Sequence, residues 1–441
     1  MTEDTCLQAA SPQRDRIAFA PDSITNGVIR MKVLKLTPFF HHPDADSWPA
    51  AYDSVGGMQI QTWRQAVWLA QEGINQHVMT IGFPGLPRLR LLKPFLSVEC
   101  LLLPMLRIPS EFSGLIGLTQ SWAVATLSTL LQKRRTHDYD LVHMHLDGQI
   151  PALMVACLAP RLLRCPLILT VHCSRLAVYT PHSWLDKVQH RLAQWLERKA
   201  VGSAFTVIAL TQRTASQLTR DARRVEIVPD VVDTRQFAPP PQEAIIAFRK
   251  RHNLRRQTVG FVGRIAKEKG WQHLIPLVQA LREQECELLI VGDGTQRDRL
   301  QHAIDKAELQ DWVTVTGFIP NNEVPLAMAA CRLIVMPSAY EEFGGVSIEA
   351  LATGVPVVAF AVGGLPEILH GITPDLLIAP ENTLALIARV QAVLAGHHSQ
   401  SIAPDRLRAY VEQRYDPSAM GAQMLSLYQM ALSNSTRPIR R

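Results

Sequence analysis

SAYEEFGGVSIEALATGVPVVAFAVGGLPE, Ser338 to Glu367, is the stretch on which the reading of this chain turns. Two glutamates, Glu341 and Glu349, flank the Gly344-Gly345 pair, and a short helical run, a glycine stop at Gly354 and an apolar strand follow. A glycine turn opening a helix leaves backbone N–H groups without intrahelical partners, which makes a natural anion site. Carboxylates on either side suit the hydroxyls of a sugar or ribose. Such a loop grips a ligand that carries a diphosphate and hydroxyls together, as a nucleotide sugar does.

Around this loop the sequence alternates strand-like and helix-like runs. TVGFVG (258–263), ELLIVGDG (287–294), WVTVTGF (312–318), RLIVMPS (332–338) and VPVVAF (355–360) read as strands. An earlier set consists of MKVLKLT (31–37), HVMTIGF (77–83), LVHMH (141–145), PLILTVH (166–172), AFTVIALT (204–211) and VEIVPDVV (225–232). Helices are expected from Met58 to Gln71, over about 148–158 and around 183–200, and over 418–432. Pro239, Pro240 and Pro241 separate the two sets. This rhythm implies an α/β protein of two doubly wound, Rossmann-like domains with parallel sheets. The expected division is a flexible extension over 1–30, a first domain over 31–236, a second over 242–415 and a terminal helix over 416–434.

Composition narrows the class. With 441 residues, 47% hydrophobic and 19% charged, the chain can bury two cores. A formal charge of +6 suits anionic ligands or an anionic surface. The basic residues are scattered without interleaved aromatics, which argues against nucleic acid. Seven cysteines without a CxxC pair read as reduced thiols of a cytoplasmic protein. The polar start MTEDTCLQAASPQRDR does not read as a secretory signal, and no run of ~18 apolar residues suggests a membrane span.

Arg264 and Lys269 follow the strand that ends at Gly263, where doubly wound sheets bind ligands. Two cations there can neutralise a diphosphate, although a solvated basic loop would look the same. Glu349 is expected in the first turn of its helix, where it would also suit the helix dipole. Glu342 reads as solvent-exposed. Gly292 and Gly294 in VGDG and Phe318-Ile319 in TGFIP end two further strands, where glycine lets a flat base approach. On the strand HMH, His143 and His145 share a face. No third ligand at metal spacing accompanies them, so no metal is expected. His145 lies nearer the strand's carboxyl end, Asp147 follows it, and His172 ends the next strand.

Together GRIAKEKG, VGDG, TGFIPNNEVP, PSAYEEFGGVSIEALATGVPVVA and VGGLPE resemble the retaining GT-B glycosyltransferases of family four. The early GG-M, DLVHMH and VPDVVDTRQF are similar to the same family's N-terminal signposts. The resemblance implies a GT-B fold, two domains facing across a cleft with the terminal helix returning to the first. It implies a nucleotide-sugar donor, a hydroxylated acceptor and no cofactor. Carried over, Arg264 and Lys269 would hold the diphosphate, Glu349 the ribose, and Glu341 with Phe343, Gly344, Gly345 and Val346 the sugar. Gly57 would approach the diphosphate from the first domain, and His145 would stand near the reacting carbon.

GFPGLPR (82–88), GLIGLTQSW (114–122), HLDGQ (145–149), TVHCSRLAVY (170–179) and GITPDLLIAP (371–380) resemble the enzymes that glycosylate 2-deoxystreptamine. That similarity implies UDP-N-acetylglucosamine or UDP-glucose as donor and a small aminocyclitol as acceptor, drawn to carboxylates such as Asp53 and Asp147. The alternative is a membrane-surface hexosyltransferase of glycolipid or polysaccharide synthesis, with a weak membrane contact through the apolar, basic tract from Pro84 to Leu118.

Overall fold

The computed structural model describes residues 31–43, 56–103, 108–110, 114–174, 176, 184–397 and 402–434. The extension expected over 1–30 lies outside them, as does Asp53.

The strands in chain order are β1 (Lys32–Leu36), β2 (Asn75–Thr80), β3 (Leu89–Lys93), β4 (Leu96–Cys100), β5 (Ile108–Ser110), β6 (Gly114–Ile116), β7 (Leu141–Leu146) and β8 (Leu167–Val171). They continue with β9 (Thr206–Ala209), β10 (Val225–Ile227), β11 (Gln257–Val262), β12 (Cys286–Val291), β13 (Val313–Gly317), β14 (Leu333–Met336), β15 (Val357–Phe360) and β16 (Leu377–Ile378). The first sheet runs β10-β9-β8-β7-β1-β2-β4-β3 and the second β13-β12-β11-β14-β15-β16, while β5 and β6 form a separate ribbon. Pairing is parallel throughout both sheets except for β3, which lies antiparallel to β4 at the edge.

Both sheets owe their character to apolar runs buried on both faces. β12, CELLIV, and β7, LVHMHL, are buried at every position, as strands covered by helices must be. β3 escapes that logic. It alternates, but Leu89 and Leu91 are the residues turned to solvent, so its sequence reads as a loop. Two glycines expected to admit a ligand are also required by the backbone packed against them. A Cβ on Gly292 would stand 2.0 Å from the Gly263 carbonyl oxygen and one on Gly294 2.4 Å from that of Ile265. What approaches them closely is the loop after β11.

The prolines at 239–241 do not make a loose tether. Phe237, just before them, is fully buried in the core of the second sheet together with Val232. Arg408 donates to the carbonyls of Thr234, Phe237 and Ala352 and so ties the crossing segment to the second half. The closing helix, Pro417–Ser433, packs on the first sheet. Met420, Met424, Leu427 and Tyr428 share a buried cluster with Met31, Val33 and Leu69, and the Tyr428 hydroxyl bonds His143 Nδ1 at 2.7 Å.

Where this helix crosses the Gly57–Gln71 helix, a Cβ on Gly421 would meet the Trp68 indole at 2.1 Å. Gly421→Ala should therefore destabilise the protein by about 1–3 kcal/mol of overpacking, despite alanine's better helix propensity. Thermal unfolding measures this, and an unchanged or higher melting temperature would contradict the tight crossing.

Candidate functional site

In open parallel sheets the crevice lies at the carboxyl ends of strands, where strand order reverses. The second sheet reverses between β11 and β14, and the two loops leaving those strands are Gly263–Gly270 and Pro337–Gly344. The first sheet reverses between β1 and β7. Both crevices open into one cleft of about 1210 Å³. Gly57, Gly263, Arg264, Lys269, Gly292, Phe318, Ile319, Glu341, Phe343, Gly344, Gly345, Val346, Glu349 and His172 all line it. Gly294, His145 and Asp147 are not among the lining residues.

On the second-half wall, Lys269 Nζ donates to Glu341 Oε1 at 2.6 Å, and Ser338 Oγ donates to the same oxygen at 2.9 Å. Glu341 is only 8% exposed. Its second oxygen has no protein partner among the described residues. Arg264 donates to Glu268 Oε1 at 2.9 Å, in a pair open enough to solvent to exchange partners. Gly344, at φ 98°, ends the loop in the left-handed region and has no room for a Cβ, which would meet Leu365 at 2.6 Å. The helix Gly345–Ala352 starts at once after it. Its amino end, with Gly345 and Val346, therefore faces the cleft.

That early start moves Glu349 out of the first turn, so the expected dipole role does not apply. Its carboxylate is taken instead by a residue the sequence did not suggest. Arg64, on the Gly57–Gln71 helix, donates to Glu349 Oε1 at 2.9 Å and to the Val231 carbonyl at 3.1 Å. Burial still holds the Glu349 carboxyl above its ordinary range, with Arg64 opposing. Glu342 also departs from the exposed position expected of it. It is half-buried and accepts from Thr214 of the first half and from Tyr340. Glu367 caps the helix Gln212–Leu218 by accepting from the N–H groups of Gln212 and Arg213. No local pattern marks the Arg64–Glu349, Thr214–Glu342 and Gln212–Glu367 contacts, since each joins segments more than a hundred residues apart.

On the first-half wall His172 faces the cleft and His145 stands behind it, 1% exposed, with its Nδ1 2.9 Å from His172 Nε2. Burial, with the other histidines and Lys35 adding to it, pushes His145 far down, and burial with Lys35 pushes His172 to about 4. Both rings are neutral at pH 7. Lys35 is itself fully buried, donating to Gln65 at 2.8 Å, and burial draws its pKa well down. Asp147 Oδ1 accepts from the Gln149 N–H, which begins the helix Ile150–Leu163. Asp230 lines the cleft floor and went unnoticed in the sequence.

The chain matches the family model for glycosyl transferases group 1 over residues 242–414 and that for glycosyltransferase family 4 over 55–236. It is 43% identical over 395 residues to the 2-deoxystreptamine N-acetyl-D-glucosaminyltransferase of Streptomyces fradiae, covering 86% of this chain and 93% of that protein. It is 42% identical over 346 residues to the 2-deoxystreptamine glucosyltransferase of Streptomyces kanamyceticus, covering 76% and 89%. Among solved structures, sucrose-phosphate synthase from Thermosynechococcus elongatus superposes with a TM-score of 0.76 at 25% identity, covering 92% of this chain and all of that one.

Arg64→Ala should cost about 2–4 kcal/mol, because it strands a buried carboxylate. Without Arg64 the folded Glu349 carboxyl rises further above its unfolded value. The deficit is then small below the carboxylate range and grows as pH rises through it. Melting curves of both proteins at pH 5 and pH 8 measure this, and a gap equal at the two values would contradict the pairing.

Proposed function

Because this chain belongs to the glycosyltransferases of group 1 and family 4, we propose that it moves a hexose or N-acetylhexosamine from a nucleotide sugar to a hydroxyl of a small aminocyclitol such as 2-deoxystreptamine. It is a glycosyltransferase with a GT-B fold. The acceptor class rests on the relatives, which bear that name at 42–43% identity over most of their length. UDP-N-acetylglucosamine and UDP-glucose are the donors this reading favours. The observation that carries it is the convergence, in one cleft, of two cations from the loop after β11 and two carboxylates from the loop after β14 and the helix it opens.

In the proposed complex the donor diphosphate lies between Arg264, Lys269 and the amino end of the Gly345–Ala352 helix. Both cations already face carboxylates, so the diphosphate displaces Glu268 from Arg264 and shares the Lys269 ammonium with Glu341. Arg264 is the better bidentate group and Lys269 the compact one. Charge grows on the leaving phosphate as the glycosidic bond breaks, and fixed cations stabilise it there at little reorganisation cost. Glu341 is held by Lys269 and Ser338 through Oε1, which leaves Oε2 for a sugar hydroxyl. Glu349 takes the ribose hydroxyls with Arg64 behind it. Phe318, 55% exposed in the cleft, offers a face on which the base can stack.

The acceptor lies against the first half, with His172 at the wall and His145 supporting it. Retention of configuration follows if the acceptor hydroxyl attacks from the face the phosphate leaves, and a phosphate oxygen then accepts its proton. The alternative, a membrane-surface hexosyltransferase, would dock through the tract from Pro84, where Leu89, Leu91 and Phe95 are exposed on and beside the edge strand β3.

Incubation with a panel of UDP-sugars and 2-deoxystreptamine, with mass detection of product and NMR of its anomeric centre, tests this reading. An α-linked product is expected, and absence of transfer to any aminocyclitol would contradict it. Arg264→Ala and Lys269→Ala should each lower kcat by about 10²–10³-fold, as loss of a transition-state contact does. Rates like the parent's would remove those side chains from the site. His145→Ala should lower turnover and spare UDP affinity, so a large loss of UDP binding would contradict its place on the acceptor side.

A further inference from the structure

Behind the cleft floor lies a second cavity of about 20 Å³, and Gln61, His172, Leu210 and Asp230 line both spaces. A cavity of that size takes one water-sized group, which is also the size of an ammonium head. Thr62 uses its only proton on the Met58 carbonyl at 2.8 Å. Its Oγ1, 3.5 Å from His145 Nδ1, can then only accept. The tautomer of neutral His145 that serves both neighbours carries its proton on Nδ1, towards Thr62 and His172 Nε2. In that tautomer His145 Nε2 is a lone pair, buried and without a hydrogen-bond partner among the described residues. Asp230 lines the same cavity, and among the described residues it has no hydrogen bond or ion pair from the protein.

We propose that this small cavity is a subsite for a primary ammonium group of the acceptor, held by the Asp230 carboxylate and His145 Nε2. The proposal rests on the aminocyclitol reading above and adds where the charge of that acceptor goes. A hydroxyl would bring one proton and no positive charge to hold Asp230 ionised. An ammonium brings three protons and a positive charge to a pocket of acceptors. The surrounding groups agree. Burial pushes the Asp230 carboxyl up to about 7, with Arg64 opposing and Glu342 and Glu349 adding to the rise. Arg64 is committed to Glu349 and Val231. Of the other cations nearby, Lys35 is bonded to Gln65 and drawn towards its neutral form, and His172 is neutral. Among the described residues, no cation is bonded to Asp230.

The test compares kcat/KM for 2-deoxystreptamine with that for the deoxyinositol in which both amines are hydroxyls, using the full-length enzyme and Asp230→Asn. The parent should prefer the diamine. The variant should lose about 10–100-fold of that preference, the worth of a charge-assisted hydrogen bond. A preference unchanged by Asp230→Asn overturns the subsite while leaving the acceptor reading intact. Failure of the parent to glycosylate any aminocyclitol overturns both. A measurement on the parent alone covers misfolding of the variant. There, cis-1,3-diaminocyclohexane should inhibit competitively with acceptor and cyclohexane-1,3-diol should not, and equal inhibition by the two overturns the subsite.

Discussion

The structure depends above all on how charge is handled in a cleft between two sheets. Lys269 meets Glu341, Arg264 meets Glu268 and Arg64 meets Glu349 along its walls. The three differ in exposure, and that difference assigns their work. Arg64 and Glu349 are 8% and 14% exposed, so their pairing is a structural bond across the two halves that only a ligand reaching Glu349 can share. Arg264 and Glu268 are open to water, so exchanging partners there costs little. Lys269 and Glu341 lie between these limits, a cation and a carboxylate held ready for a ligand that carries both phosphate and hydroxyls.

The fold supplies this arrangement through two strand-order reversals that face each other. In each sheet the reversal opens a crevice without any side chain being asked to do so. Contacts at the rim then fix one half against the other: Glu342 on Thr214, Glu367 on the amino end of Gln212–Leu218, and Arg408 on the crossing segment. The closing helix returns to the first sheet, where Tyr428 reaches His143 beneath the cleft floor. Distance from the cleft therefore does not mean independence from it.

Much of this was legible in the residues. Doubly buried strands such as CELLIV and glycine stops such as Gly354 carry their own local signal, and so do Arg264, Lys269, Glu341 and the FGG turn, because each cation or carboxylate sits in the loop that leaves a strand. The edge strand β3 was not legible, since its leucines face solvent. Arg64, Asp230 and the true setting of Glu342 were hidden for another reason. Their environments come from segments far away in sequence, and charge in a folded interior is decided by those neighbours. His145 was visible as a residue but not as the one standing behind His172.

The most direct measurement is a crystal structure of the protein with UDP and the donor sugar bound. The account predicts the diphosphate within hydrogen-bonding distance of both Arg264 and Lys269, its oxygens at the amino end of Gly345–Ala352, and a sugar hydroxyl on Glu341. A nucleotide bound in the cleft with its phosphates pointing away from those two cations would contradict it.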